Sequence, residues 1–395
     1  MKKVGTTVRG IRTPVIKEGD NLKDIVVTSV IEASISENFK LQDKDVIAVT
    51  EAVVGIASGN YCTVDDIAQD LTNKFNSKSI GVVFPILSRN RFAVLLKGIA
   101  RAMDKITILI SYPKDEVGNA ILNEDDLEKY NINPYSHIIS EEEYKEKFGT
   151  YKHIFTGVNM IDFYRTLCKE ENCKIEFVLS NHPEDILKYE KYVLSSDIHS
   201  SSKTIKILKE NKATKVLGLK DILNESINGS GYNTKYGLLG SNRATEEKVK
   251  LFPENSEELI YGIQEQIKQN TGATVEVMVY GDGAFKDPIG GIWELADPVV
   301  SPCYTKGLEG SPNEIKLKYL SDNKFASLKG EELNNAIKEE IKNKNKNLVG
   351  DITSQGTTPR RYTDLLGSLC DLTSGSGDKG TPVVLVQDYF TNYSD

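Results

Sequence analysis

Four carboxylates, Asp282, Asp287, Glu294 and Asp297, fall within sixteen residues directly after the apolar run Val275–Tyr280. Gly281 and Gly283 flank the first of them, and Pro288, Gly290 and Gly291 break the chain again. The run itself has the length and β-branching of a buried strand. Carboxylates at a strand end, between glycines that let backbone approach a ligand, suit a hard cation such as Mg²⁺ or Mn²⁺. The same span also reads as a surface loop built on Asp-Gly and Asp-Pro turns. Trp293, the only tryptophan of the chain, lies inside it.

A second candidate lies near the C-terminus, where Ser374, Gly375, Ser376, Gly377, Asp378, Lys379, Gly380 and Thr381 form a loop rich in glycine and hydroxyls. Such backbone can turn several N–H groups toward a phosphate. It lacks the Gly-Lys-Ser/Thr helix start of a Walker A loop and precedes a strand instead, so a plain connector is the competing reading. Arg89 and Arg91 stand beside an expected helix start, where they could hold a phosphate or a carboxylate or simply be solvated.

The elements that must position these groups follow from periodicity. Residues 22–39 place Leu22, Ile25, Val26, Val30 and Ala33 at helical spacing. Val46–Val49 reads as a buried strand, and Thr63 opens a helix with an acidic first turn. Strands are expected at Ile80–Phe84, Ile106–Ile110 and Val383–Val386, with helices at Ala93–Met103 and Thr363–Leu372. From about 113 to 228, helices (Glu141–Phe148, Ile161–Glu170, Pro183–Leu187, Ser202–Glu210) alternate with short strands (Ile154–Thr156, Lys174–Leu179, Lys215–Leu217), the texture of an inserted α/β unit. His137, His153, His182 and His199 have no metal-ligand spacing and read as structural or exposed. Residues 226–233 read as a linker or mobile loop, and 338–347 as the solvated end of a helix.

The chain has 395 residues, 39% of them hydrophobic and 27% charged, so two or three domains with real cores are expected. A balance of 49 basic against 57 acidic residues argues against generic nucleic-acid binding. The five cysteines, Cys62, Cys168, Cys173, Cys303 and Cys370, read as structural thiols of a reducing cytosol. The N-terminus has no apolar signal region and no stretch reaches membrane-spanning length, so a soluble cytoplasmic protein without membrane or nucleic-acid partners is expected.

Together these segments resemble the coenzyme F(420) gamma-glutamyl ligase family. GIRTPVIKEGDNLKDIV is similar to the family's opening Gly-Leu-Pro segment and its Gly-Asp-Asp-Leu. DKDVIAVTEAVVGIASG resembles the strand that ends there in Gln-Lys, and YGLLGSNRATEEKVKLFPENSEEL resembles the run HGFVCANAGID with the Leu-Leu-Pro after it. VEVMVYGDGAFKDP is similar to VIITDTFGRP, and DLLGSLCDLTSGSGDKGTPVVLV to the ending ELA-x-AADLVMG-x-AD-x-G-x-PVVL. The segment from roughly 95 to 230 has no counterpart.

The resemblance implies an α+β fold of two interleaved α+β domains. Residues 1–85 plus 350–395 would form the first. Residues 86–349 would form the second, carrying the acidic loop and an inserted α/β unit at about 95–230. It implies a nucleotide- and metal-dependent amide ligase, with Mg²⁺ or Mn²⁺ and with GTP or ATP as cosubstrate. The enzyme would attach L-glutamate through a gamma-glutamyl bond to a small acidic or phosphorylated acceptor, and would work as a homodimer. A first metal would sit between Asp282 and Glu246, within shared reach, when YGLLGSN is laid on HGFVCAN; Asp287 and Ser376 complete the metal set. Gly10, Ile11, Arg12, Thr13, Asn242 and the loop Ser374–Thr381 would border the nucleotide. The family's Gln-Lys pair is Glu51-Ala52 here, its second lysine is Ile56, and a metal-assisting threonine is Gly283. Arg89, Arg91 or Lys379 would have to restore the lost positive charge. Two other readings are a non-catalytic relative that binds a nucleotide or phosphometabolite, and a metal-dependent phosphate-ester hydrolase.

Overall fold

The computed structural model describes residues 3–283, 286–293, 299–357, 360–374 and 377–395. The fold is α+β. Its central sheet runs in the order Thr7–Ile11, Val383–Gln387, Val46–Thr50, Glu276–Tyr280, Cys303–Tyr304. Val46–Thr50 and Glu276–Tyr280 are parallel, and the other neighbours are antiparallel. Valine-rich strands buried on both faces are expected where helices cover a sheet on each side. The period-2 alternation divides them: Ile47 and Val49 face the helices Leu22–Ser36 and Ser256–Thr271 through Val26, Val30, Ile260 and Ile263, whereas Ala48 and Met278 meet Leu366 and Cys370 of the helix Tyr362–Ser374.

The register decides where the site forms. Ile11 pairs with Val383, Val383 with Val49, and Tyr280 with Thr50. Four distant segments therefore turn at one edge of the sheet: Arg12-Thr13, Glu51-Ala52, Gly281-Asp282 and Thr381-Pro382. Thr50 N–H donates to the Pro382 carbonyl at 3.0 Å and Thr13 N–H to the Gly380 carbonyl at 3.3 Å, fastening the corner.

A second sheet of six strands has the order Ile139–Ser140, Lys174–Leu179, Lys105–Ile110, Ser79–Val83, Tyr192–Ser195, Lys215–Gly218, and all but the first are parallel. Helices Val64–Phe75, Phe92–Ala102 and Met160–Glu170 pack in the larger hydrophobic core on one face; Pro183–Lys188 and Ser201–Glu210 cover the other. Gly98 lets its helix pack closely on Val64–Phe75, since a Cβ there would lie 2.7 Å from Ile67 Cγ2. Thr63 opens its helix with a reciprocal capping box to Asp66. A three-stranded sheet, Asn242–Arg243, Lys248–Lys250 and Tyr61–Thr63, stands between the two larger ones.

The expected strand Ile154–Thr156 is a turn, with Gly157 N–H closing onto the His153 carbonyl at 2.8 Å. Its apolar residues were the signal, yet Ile154 and Phe155 are exposed. The strand Tyr192–Ser195 had no sequence expectation; four residues give too short a period to read. Residues 226–233 form a loop held down by Asn60, whose side chain accepts from Tyr232 N–H at 3.0 Å and donates to the Tyr232 carbonyl at 3.0 Å. All five cysteines are free, and among the described residues no helix is long and apolar enough to cross a membrane.

Candidate functional site

The corner of the central sheet opens into a cleft of about 390 Å³. Thr13–Ile16 form one wall with Gly377 and Gly380–Pro382; Thr50, Glu51, Gly281 and Asp282 form the floor, and Asn242 closes the far side. The two glycine-bearing segments expected to border a nucleotide therefore meet. Gly10 lies so close to Thr381 that a Cβ would come within 3.1 Å of its side chain. Thr381 Oγ1 donates to the Ser374 carbonyl at 2.8 Å, and Arg12 Nε to the Lys379 carbonyl at 3.4 Å. Asp378 and Lys379 are exposed on this loop, and Gly375 and Ser376 lie outside the described residues.

Asp282 emerges at the strand end, part-buried, and Arg91 donates to its carboxylate. Arg91 stands just ahead of the helix Phe92–Ala102, whose first N–H is capped by Ser88 Oγ at 2.9 Å. Of the two arginines, Arg91 holds a carboxylate, and that carboxylate belongs to the chain. The second acid beside Asp282 is Asp371, from the helix Tyr362–Ser374. Its Oδ2 accepts from Gly283 N–H at 3.1 Å. Burial, together with the Asp282 charge, holds its pKa above the usual carboxylate range. Gly283 replaces a threonine for a visible reason: a Cβ there would lie 2.9 Å from Ser368 Cα.

Glu246 is not among the residues that line this cleft. It is exposed, pairs with Arg243 at 3.2 Å, and lines a separate groove together with Arg89. The strand Lys248–Lys250 follows it by one residue and pairs with Tyr61–Thr63, which fixes the Arg243–Glu246 turn beyond the sheet's edge. Asp287 is spent on its own turn, accepting from Gly290 N–H, and is likewise absent from the cleft lining. Glu294 and Asp297 lie outside the described residues. Among the described residues no three His, Cys, Asp or Glu side chains converge as a metal cage.

One cation was not anticipated. Lys250 Nζ lies 2.8 Å from both carboxylate oxygens of Glu51, and both side chains are buried. Glu51 begins the helix Glu51–Ala57 on the cleft floor, so an ammonium reaches this floor from the strand opposite Asn242. The sequence carried its signal only as a lysine in an alternating strand, KVK, whose partner sits 199 positions away. Asp371 was not anticipated either; its signal in the sequence was an acid one turn before the glycine loop in DLLGSLCDLTSGSGDKG.

Two carboxylates with a glycine-lined wall and two nearby cations fit a divalent ion shared between protein oxygens and the phosphates of a ligand, the usual arrangement for Mg²⁺. They do not make a site that would hold the ion alone. A family model described as F420-0:Gamma-glutamyl ligase matches residues 10–388 of the chain. No curated protein matches it.

Proposed function

Since the chain belongs to the F420-0:Gamma-glutamyl ligase family, we propose that the corner cleft binds GTP or ATP with Mg²⁺ or Mn²⁺ and joins L-glutamate to a small acidic or phosphorylated acceptor. The observation that carries this reading is the pairing of Asp282 with Asp371 beside the two glycine-bearing segments. These two carboxylates would hold the metal, in place of Asp282 with Glu246. Bound there, the ion would neutralise and align a transferring phosphoryl group.

The residues of the chain have separate tasks. Backbone N–H groups of Gly377–Thr381 approach the phosphates closely because glycine leaves room for them, and the Thr13 segment fastens that loop through its N–H on the Gly380 carbonyl. Arg91 restrains Asp282 while the cleft is empty of phosphate and can turn its fork to a phosphate oxygen when one arrives. The Lys250 ammonium keeps the Glu51 carboxylate compensated on the floor, which a bare buried carboxylate beside phosphate would not be. Phosphorylation activates a carboxylate on one reactant; the glutamate amine then attacks it and phosphate leaves. Assembly as a homodimer belongs to the same proposal and is read by light scattering.

The test is nucleotide hydrolysis by the purified chain with Mn²⁺, with and without L-glutamate, over an extract of small acceptors, with mass spectrometry of the product. Glutamate-dependent phosphate release together with a product heavier by one glutamyl group supports the ligase. Turnover that ignores glutamate supports a phosphate-ester hydrolase. A specific observation favours a non-catalytic relative, because Arg91 already neutralises Asp282. Nucleotide binding without turnover would select that reading.

A further inference from the structure

The six-stranded unit has a second cavity, of about 460 Å³, at the carboxyl ends of its parallel strands. In chain order the parallel strands start at Ser79–Val83, step outward through Lys105–Ile110 to Lys174–Leu179, then return to the other side of Ser79–Val83 with Tyr192–Ser195. The cavity lies where that order reverses: Phe84, Ser111, Asn181 and Asp197, the residues just past four of those strands, all line it. Ligands of open parallel sheets bind in this crevice, and its volume is within the usual range for small-molecule sites. Phe84 adds a local sign of constraint, since an aromatic residue there holds φ at +53°.

The lining selects the chemistry. A dinucleotide pyrophosphate is disfavoured, because the turn after the first strand runs Phe84-Pro85-Ile86-Leu87 with no glycine to let it approach. The amides leading into the helix Ser201–Glu210 are already filled: Glu116 accepts from Ile198 N–H at 2.6 Å and from His199 and Ser200 N–H at 3.2 Å each. Asp197 takes the hydroxyls of Ser195 and Thr204, and Asp115 takes four N–H donors including Leu87. Lys114 also lines the cavity but pairs with Glu124 at 2.8 Å, which leaves Lys203 as the cation for a ligand and Glu184 as the acid, 3.8 Å from the His182 ring that lines the cavity beside it. Phe84, Pro183 and Ile207 supply apolar wall.

We propose that this cavity binds a free amino acid, its carboxylate on Lys203, its ammonium on Glu184 and its side chain against Phe84, Pro183 and Ile207. The site is independent of the ligase cleft, although the loop that carries Glu116 touches the acidic strand-loop, where Trp293 N–H donates to the Val117 carbonyl at 2.6 Å.

The experiment is thermal-shift screening of the full chain against the proteinogenic amino acids, followed by calorimetry. The matched deaminated acid and decarboxylated amine of each hit serve as controls, along with AMP and NAD. One or more amino acids should raise the melting temperature while the matched controls do not. Lys203→Met and Glu184→Gln should each weaken that binding about tenfold or more with circular dichroism unchanged, and Asp282→Asn should leave it intact. The proposal is overturned if no amino acid binds, if the controls or NAD bind as well, or if binding survives both cavity substitutions. Loss of binding in Asp282→Asn would place the amino acid in the ligase cleft and also overturn it.

Discussion

The cleft and the cavity are both lined with acids, but they hold them differently. In the cleft, Asp282 faces the Arg91 guanidinium and Glu51 the Lys250 ammonium, each a cation delivered from a remote segment. In the cavity, Asp115, Glu116 and Asp197 are held by backbone amides, one side-chain amide and hydroxyls, all neutral donors. Neutral donors fix a carboxylate without cancelling its charge, and burial then raises its proton affinity: Asp115 and Asp197 both stand at a pKa of about 6. Cation-paired acids are poised to exchange partners for phosphate or metal. Asp371 is the exception in the cleft, held by the Gly283 amide rather than by a cation and left for the metal; the cavity's acids, each spread over several donors, serve as scaffolding around a ligand that other side chains must recognise.

The largest expected effect falls on the cleft. Asp282→Asn should lower glutamate-dependent nucleotide turnover by about a hundredfold or more, the scale on which one lost electrostatic contact to a reacting group is felt. Retained activity in steady-state assays would move the chemistry elsewhere.

Next comes the buried ion pair. Lys250→Met leaves the Glu51 carboxylate buried and uncompensated, and urea unfolding should show a loss of about 3 to 5 kcal/mol. Adding Glu51→Leu should restore most of it. A single variant as stable as its parent would show that Glu51 finds water, and the cleft floor would then be open.

The cavity's acids should reveal themselves through pH. Asp197 has a folded pKa of about 6 against the usual 3.8, so between those values the native state keeps a proton that the unfolded chain has released. Stability from this group is therefore fully present below pH 3.8 and lost as pH rises through about 6. A shift of about two units corresponds to about 3 kcal/mol. Asp197→Asn keeps partners in Ser195 and Thr204, whose hydroxyls can reorient toward an amide, and should gain on its parent as pH rises from about 4 to about 7. Parallel stability curves for the two proteins would mean that Asp197 is solvated as a free acid. The smallest change sets the baseline: Thr63→Ala, at a helix start that lines neither site, should cost about 1 kcal/mol by thermal unfolding. A cost as large as that of Lys250→Met would blur the contrast.

Much of this architecture was legible because local pattern and tertiary demand agree. The runs VIAV and VVLV are too short and too β-branched to be anything but buried strands, and both lie in the central sheet. The two glycine-bearing segments were expected at one site, and the sheet register brings them together. The acids were less legible. Asp287 has the residue type of a ligand but closes its own turn, and Glu246 has the position in a resembling segment but sits in an exposed turn at the edge of a small sheet. Arg91 was expected to hold a phosphate or a carboxylate but its acid could not be named, and Lys250 was not assigned at all, since their partners lie 191 and 199 positions away. Pairing across such separations is fixed by sheet register and helix docking, which a single sequence does not print. The strand-loop after Asp282 is similar: Gly283 reads as a lost threonine until the helix carrying Ser368 and Asp371 is seen against it.

The most direct test of the cleft assignment is a Mn²⁺ titration followed by electron paramagnetic resonance, with GTP or ATP present, on the parent chain, Asp371→Asn and Glu246→Gln. Nucleotide-dependent Mn²⁺ binding should appear in the parent, persist in Glu246→Gln and vanish in Asp371→Asn. Binding that survives in Asp371→Asn and disappears in Glu246→Gln would contradict the pairing of Asp282 with Asp371, as would a parent chain that takes up no Mn²⁺ with either nucleotide.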